Sequence, residues 1–293
     1  MINYNTKAWL HSIFVFKKAD TLRQLFPMIL IVSAYTTCIV YIENDWLKLS
    51  ENSPIKNFTI LQTLLSFVIS MLLVFRTNTA YDRWWEGRKL WGSLVNNSRN
   101  LAIKMNAMLP QNDIKNRTFF RTIIPMFATA LQQHLQSETT RLELDSEPHP
   151  EIPDFDHTKH VPNQVAALMA TKLNILYKEK VISGDQLIAV NNELQSFLDT
   201  CGACERIKNT PIPYSYSVFI KKFIFLYIAT LPLGLSLSLH YLLVPIVALV
   251  FYVLASLEMI AEEIEDPFGN DDNDLPMKKM TANIRKNVND ILR

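Results

Sequence analysis

Glycine is scarce in this chain, with six in 293 residues, and fourteen prolines are scattered rather than clustered, so long flexible linkers are excluded. Cysteine is scarcer still. Three (Cys38, Cys201, Cys204) cannot all pair within one chain and fall far short of a disulfide scaffold. There is no basic run, and a formal net charge of +1 gives no ground for a nucleic-acid partner. Alternating polar and apolar strand patterns are missing. So are a Ser-His-Asp arrangement, a phosphate loop and a dinucleotide fingerprint in any context that would support them, and nothing speaks for an enzyme. The N-terminal residues lack the continuous apolar core of a cleavable signal peptide.

What the chain has instead is apolar length. Hydrophobic residues make up 49% and charged ones 19%, with a mean hydropathy of +0.08. That mixture describes a membrane part joined to a substantial water-exposed part. Four apolar runs reach spanning length or approach it: Leu25 to Ile42 and Ile60 to Phe75, both uncharged, then Tyr216 to Leu239, with Lys221 and Lys222 near its cytosolic end, and Val244 to Met259, interrupted only by Glu258 near its inner end. Pro27 is expected in the first turn of the first run, and Pro232 and Pro245 are expected to kink the last two. Basic residues flank the first run at Lys17, Lys18 and Arg23, and follow the second at Arg76, Arg83, Arg88 and Lys89. The positive-inside rule then places both termini and residues 76–215 in the cytosol.

The resulting division is an interfacial or cytosolic amphipathic helix over 1–24, two membrane helices over 25–75, and a helical cytosolic domain over 76–215. Two more membrane helices follow over 216–261, and a cytosolic segment over 262–293. Within the third part, helices are predicted over 88–108, 116–135, 164–180 and 186–198, with a surface loop rich in proline and acidic residues over 137–162. A last helix is predicted over 275–292.

The second run is the most informative. Ile60 to Phe75 carries no charge, proline or glycine, and no helix breaker follows before Gly87. One helix from Ile60 to Glu86 would be roughly 40 Å long. Phe67, Met71 and Phe75 recur at i, i+4 and i+8 and stack along one side. Ser66 and Ser70 lie beside that stripe, where small residues admit a neighbouring helix.

Two long motifs, FRTNTAYDRWWEGRKLWG at 75–92 and EEIEDPFGNDDNDLP at 262–276, closely resemble the two signature regions of bestrophins, most of all the prokaryotic ones. The resemblance covers nearly the whole chain. It implies an all-α membrane protein that assembles as a homopentameric channel for small inorganic ions, in the inner membrane of a bacterium. It also implies that Phe67, Met71 and Phe75 are the three positions of a hydrophobic neck lined by the helix after Phe58.

Further candidate sites follow from the same resemblance. Alignment on Cys201-Gly202 puts Asp185 near the family's second, cytosolic constriction; from the residues alone, Asp185 reads equally as the N-cap of a helix starting at Gln186. In animal relatives the acidic run near the second motif forms a calcium clasp. Here Asp266, Asp271 and Asp274 keep carboxylates while Asn270 and Asn273 interrupt the run, and the expectation is a turn with no cofactor, calcium being the alternative. His149, His157 and His160, with Asp154 and Asp156, are read as a solvated loop, with a divalent-metal cluster as the alternative. Cys201 and Cys204 form a CxxC without the second ligand pair that zinc needs, and packing is the expected role.

A neck without fixed charge leaves charge selection to its mouths. Five Asp185 carboxylates around one axis would attract cations. Met71, where an aromatic would offer positive ring edges to anions, argues the same way. Cation selectivity is therefore expected, the alternatives being an anion channel of the same architecture or a non-conducting membrane scaffold or sensor.

Overall fold

The computed structural model describes residues 21–49, 53–136, 151, 155–156 and 159–293. The amphipathic helix predicted within 1–24 lies almost wholly outside the described residues, as do His149, Asp154 and His157. Among the described residues all regular structure is helical. The chain divides into two compact units. The first comprises the described residues up to Arg83 together with Pro211–Asp266 and Asp271–Asn273. The second comprises Trp84–Thr210, Pro267–Asn270 and Asp274–Arg293.

In the first unit, α1 (Thr21–Val40) continues into a π-helical turn, Tyr41–Trp46. Pro27 lies in the interior of α1, not in its first turn as predicted, because the helix is already running at Thr21. The second helix, α2 (Phe58–Met108), has 51 residues, roughly 75 Å of continuous helix, and belongs to both units. The helix predicted to end at Glu86 runs through Gly87 unbroken.

The third apolar run is not one helix. α6 (Tyr214–Thr230) stops before Pro232, which cannot donate to the ladder. The chain then turns through Gly234 at φ 79°, a left-handed conformation that glycine adopts without strain. It re-enters helix as α7 (Ser236–Leu239) and a 3₁₀ turn, and then α8 (Leu243–Glu265). Pro245 falls in the first turn of α8, where its missing N–H costs nothing, so it does not kink the helix. Among the described residues, three stretches are long and apolar enough to cross a membrane: Thr21–Trp46, Phe58–Met108 and Ser236–Glu265. α6, at 17 residues, is the shorter fourth apolar helix. α1 and α6 both pack on α8. The core between them is apolar, with Val40, Ile69, Leu73, Ile220, Leu243 and Val247 buried.

The second unit packs the remainder of α2 with α3 (Ile114–Gln136), α4 (Val161–Lys178), α5 (Gly184–Asn209) and α9 (Met277–Ile291). α3 is its centre, touching α4, α5 and α9. Phe120, Ile123, Ile124, Phe127 and Leu131 on α3 are fully buried, and the Phe127 ring lies 5.1 Å from that of Phe197 on α5. On α2 itself, Gly87 admits the buried ring of Phe268: a Cβ there would stand 3.1 Å from Phe268 Cζ and 3.2 Å from Pro267 Cγ. The glycine serves a close approach rather than a break.

Candidate ion pathway

A helix that has one face in a core must turn the opposite face outward, and the first half of α2 does so sharply. Gln62, Ile69, Leu73, Arg76 and Ala80 are buried along one side. At about 100° per residue, the direction of Phe67, Met71 and Phe75 lies about 170° from that side. These three are 68%, 44% and 57% exposed. Ile60 and Leu64 extend the same exposed apolar strip toward the start of the helix, and Val74 is exposed beside it.

Ser66 and Ser70 flank the strip, and their hydroxyls donate inward, to Thr63 O and Ser66 O, both at 2.7 Å. Their outer surface is thereby small and without a free donor.

Two polar anchors fix the rotation of α2. Near its start, the Gln62 side-chain nitrogen donates to the carbonyls of Thr230, Leu231 and Leu233 at 2.6, 3.1 and 3.2 Å. Thr230 ends α6, Leu231 is its C-cap and Leu233 follows Pro232, so all three carbonyls lie where the helix breaks. Lower down, Arg76 is 1% exposed and sits between two carboxylates of α8, with Nε 3.5 Å from Glu258 and a terminal guanidinium nitrogen 2.7 Å from Glu265. Glu265 also accepts the backbone N–H of Ile212 at 2.6 Å, and its carbonyl accepts from Arg83 Nε at 3.0 Å. An intramembrane glutamine and a buried ion triad are costly to desolvate, so each holds only where its partners converge.

The remaining predicted residues sit apart from this strip along the chain. Asp185 is exposed in the first turn of α5 but is not its cap. Ser183 is the N-cap: its hydroxyl accepts from Gln186 N, and the Gln186 side chain accepts from Ser183 N, a reciprocal capping box. The helix therefore begins at Gly184, and Asp185 is left with its carboxylate in solvent near the positive end of the helix dipole. Asp266 and Asp271 are exposed and Asp274 is buried. In the same stretch Asn273 donates to Glu263 at 2.6 Å, and Leu275 N to Pro267 O at 2.9 Å.

Cys201 and Cys204 lie inside α5, which runs on past the predicted end at Leu198, and both are buried. Burial, then the nearby Glu205 carboxylate, pushes the Cys201 thiol up to about 12, and Cys204 is raised for the same leading reason. Neither is a thiolate at neutral pH, which suits packing rather than redox chemistry. His160 caps α4, its Nδ1 accepting from Asn163 N at 3.1 Å, and Asp156 pairs with Lys159 at 3.0 Å.

The comparisons with known proteins agree with this architecture. A family model described as Bacterial/Fungal Bestrophin protein matches residues 1–290. A protein of Nostoc named as a voltage-dependent anion channel-forming protein is 37% identical over 230 residues, 77% of this chain and 75% of the relative. YneE of Escherichia coli, named in the same way, is 30% identical over 273 residues, 92% of this chain and 86% of its own. A crystal structure of a bacterial bestrophin homologue from Klebsiella pneumoniae superposes with a TM-score of 0.79. That match covers 92% of this chain and 98% of the other at 24% identity, a likeness of fold.

Proposed function

Because the chain belongs to the bacterial and fungal bestrophin family, and is with that family an ion channel and not an enzyme, we propose that five copies assemble so that the Phe67, Met71 and Phe75 strips of α2 line a common pore. The observation that carries this reading is the strip itself. Three large apolar side chains are turned out of the core on a helix whose opposite face is anchored by Gln62 and Arg76. Five such strips make a dry constriction that ions cross only after losing part of their hydration, and wetting of the ring is a means of gating. Ser66 and Ser70 are the contact to the neighbouring pore helix. The basic flanks of the first two spans orient the subunit in the plasma membrane with residues 76–215 and both termini in the cytosol. Residues 266–274 act as a turn leading into α9, without a required calcium ion.

Cations are the conducted species on this reading. The neck has no fixed charge, and Asp185 is an exposed carboxylate that five-fold repetition turns into a ring. A second reading, conduction of anions, is favoured by the names of the Nostoc and E. coli relatives. The reversal potential of the reconstituted protein in a KCl gradient separates them. A value near the potassium equilibrium potential is expected, moving toward zero in Asp185→Asn. A value near the chloride equilibrium potential would establish the anion reading, and a purified pentamer that passes neither ion would leave a scaffold or sensor. Native mass spectrometry in mild detergent tests the subunit count.

A further inference from the structure

Three side chains that the ion pathway does not use converge on one point in the second unit. His134 lies in the last turn of α3, His160 stands at the N-cap of α4, and Glu205 belongs to α5. His134 Nε2 is 2.7 Å from Glu205 Oε1, and His160 Nε2 meets the same oxygen. The two imidazole rings are 4.4 Å apart, centroid to centroid. One ligating atom from each residue lies within 4.8 Å of the others, and among the described residues this is the one group of three His, Cys, Asp or Glu side chains so arranged. The side chains are 25%, 29% and 27% exposed, so the point is partly desolvated yet open to an ion from solution.

We propose that His134, His160 and Glu205 bind a divalent transition-metal cation of the zinc class, with the fourth position left to water. The donor set decides the class. Two imidazoles and one carboxylate are borderline ligands that suit Zn²⁺, Co²⁺ or Ni²⁺, whereas Ca²⁺ and Mg²⁺ take oxygen. In the metal-free arrangement one carboxylate oxygen serves two Nε2–H donors from rings in contact, and only one of those rings can be charged without like-charge repulsion. A cation at the same point replaces both protons and turns the convergence into three bonds.

Two neighbours set the terms of binding. Lys208 Nζ donates to His134 O at 3.3 Å and brings a positive charge that weakens the site. His160 Nδ1 accepts from Asn163 N, so binding through Nε2 puts the remaining ring proton on Nδ1 and gives up that cap. The ion would therefore tie α3, α4 and α5 together while loosening the first turn of α4. This proposal does not depend on which ion the pore conducts.

The test uses the full-length protein purified in detergent, stripped with chelator and titrated with Co²⁺. Visible d–d absorption saturating at one Co²⁺ per chain, and abolished by Zn²⁺ at the same stoichiometry, is the expected result. His134→Gln and Glu205→Gln should weaken Co²⁺ binding by at least about tenfold. His160→Asn keeps an acceptor for the α4 cap and removes only the metal ligand, so it keeps the test decisive if either of the others fails to fold. Absence of the absorption at millimolar Co²⁺ in the wild type would overturn the site. So would affinity unchanged in His160→Asn, which would place the binding on other histidines of the chain.

Discussion

Phe67 and Arg76, nine residues apart on one helix, face opposite ways: Phe67 is 68% exposed and Arg76 1%. The polar anchor and the apolar strip are two ends of one arrangement, since α2 cannot rotate to hide Phe67 without dragging a guanidinium off two carboxylates.

Arg76→Met should therefore be among the most damaging single changes in the first unit. It leaves the buried Glu258 and the partly buried Glu265 without their counter-charge, which costs about 3–5 kcal/mol. Adding Glu258→Gln and Glu265→Gln should recover part of the loss. The uncompensated charges then go, while the amide oxygen introduced at position 265 still accepts from Ile212 N. Thermal unfolding of the detergent-purified variants checks this; equal melting temperatures for the single and triple variants would show that the triad is not what holds α2.

The neck makes the opposite prediction. Replacing Phe67, Met71 and Phe75 with Ala removes side chains that are exposed in the single chain, so the subunit should fold as before. In the assembled channel the same change widens and wets the constriction, and single-channel current should rise severalfold. Unchanged current in a correctly assembled triple variant would put the constriction elsewhere.

Gly87→Ala places a methyl 3.1 Å from Phe268 Cζ and 3.2 Å from Pro267 Cγ, against a fully buried ring. The gain in helix propensity should be outweighed, for a net loss of about 1–3 kcal/mol. Phe268→Leu in the same chain should reverse most of it. Chemical denaturation of the two variants measures the difference, and a stabilised Gly87→Ala protein would mean the ring moves freely.

Glu151 gives the second unit an acid-sensitive contact. Burial pushes its carboxyl up, but hydrogen bonds from Lys115 and Lys172 outweigh that and hold it below its ordinary value of 4.5. A depressed folded-state value means stability that is full above pH 4.5 and drains as pH falls through the lower one. Glu151→Gln should lower the melting temperature at about pH 7 and match the wild type in strong acid. A gap between the two curves that does not close with falling pH would assign the effect to packing.

How far the sequence could be read depended on the range of the cause. The Phe67, Met71 and Phe75 stripe was legible because an uncharged run and a helical period are both local. The N-cap of α5 was equally local: Ser183 and Gln186 spell the capping box, and assigning the cap to Asp185 passed over that spacing. Gly87 reads as a breaker in sequence because what it accommodates, Phe268, is remote along the chain. The same distance hid the partners of Arg76, although a glutamate in an apolar run at position 258 and a glutamine at 62 were the available signals. His134, His160 and Glu205 share no spacing, and only the packing of α3, α4 and α5 brings them together.

The burial of Cys201 and Cys204 also makes the chain a ready background for accessibility mapping. Thiol-directed reagents need a thiolate in contact with solvent, and these two offer neither. Cys38, on the exposed side of α1, is the one native thiol left to compete. A single Cys38→Ser substitution would then allow cysteines introduced one at a time from Ile60 to Phe75 to report, by their labelling rates with a charged methanethiosulfonate, which rungs of α2 water reaches and where it stops.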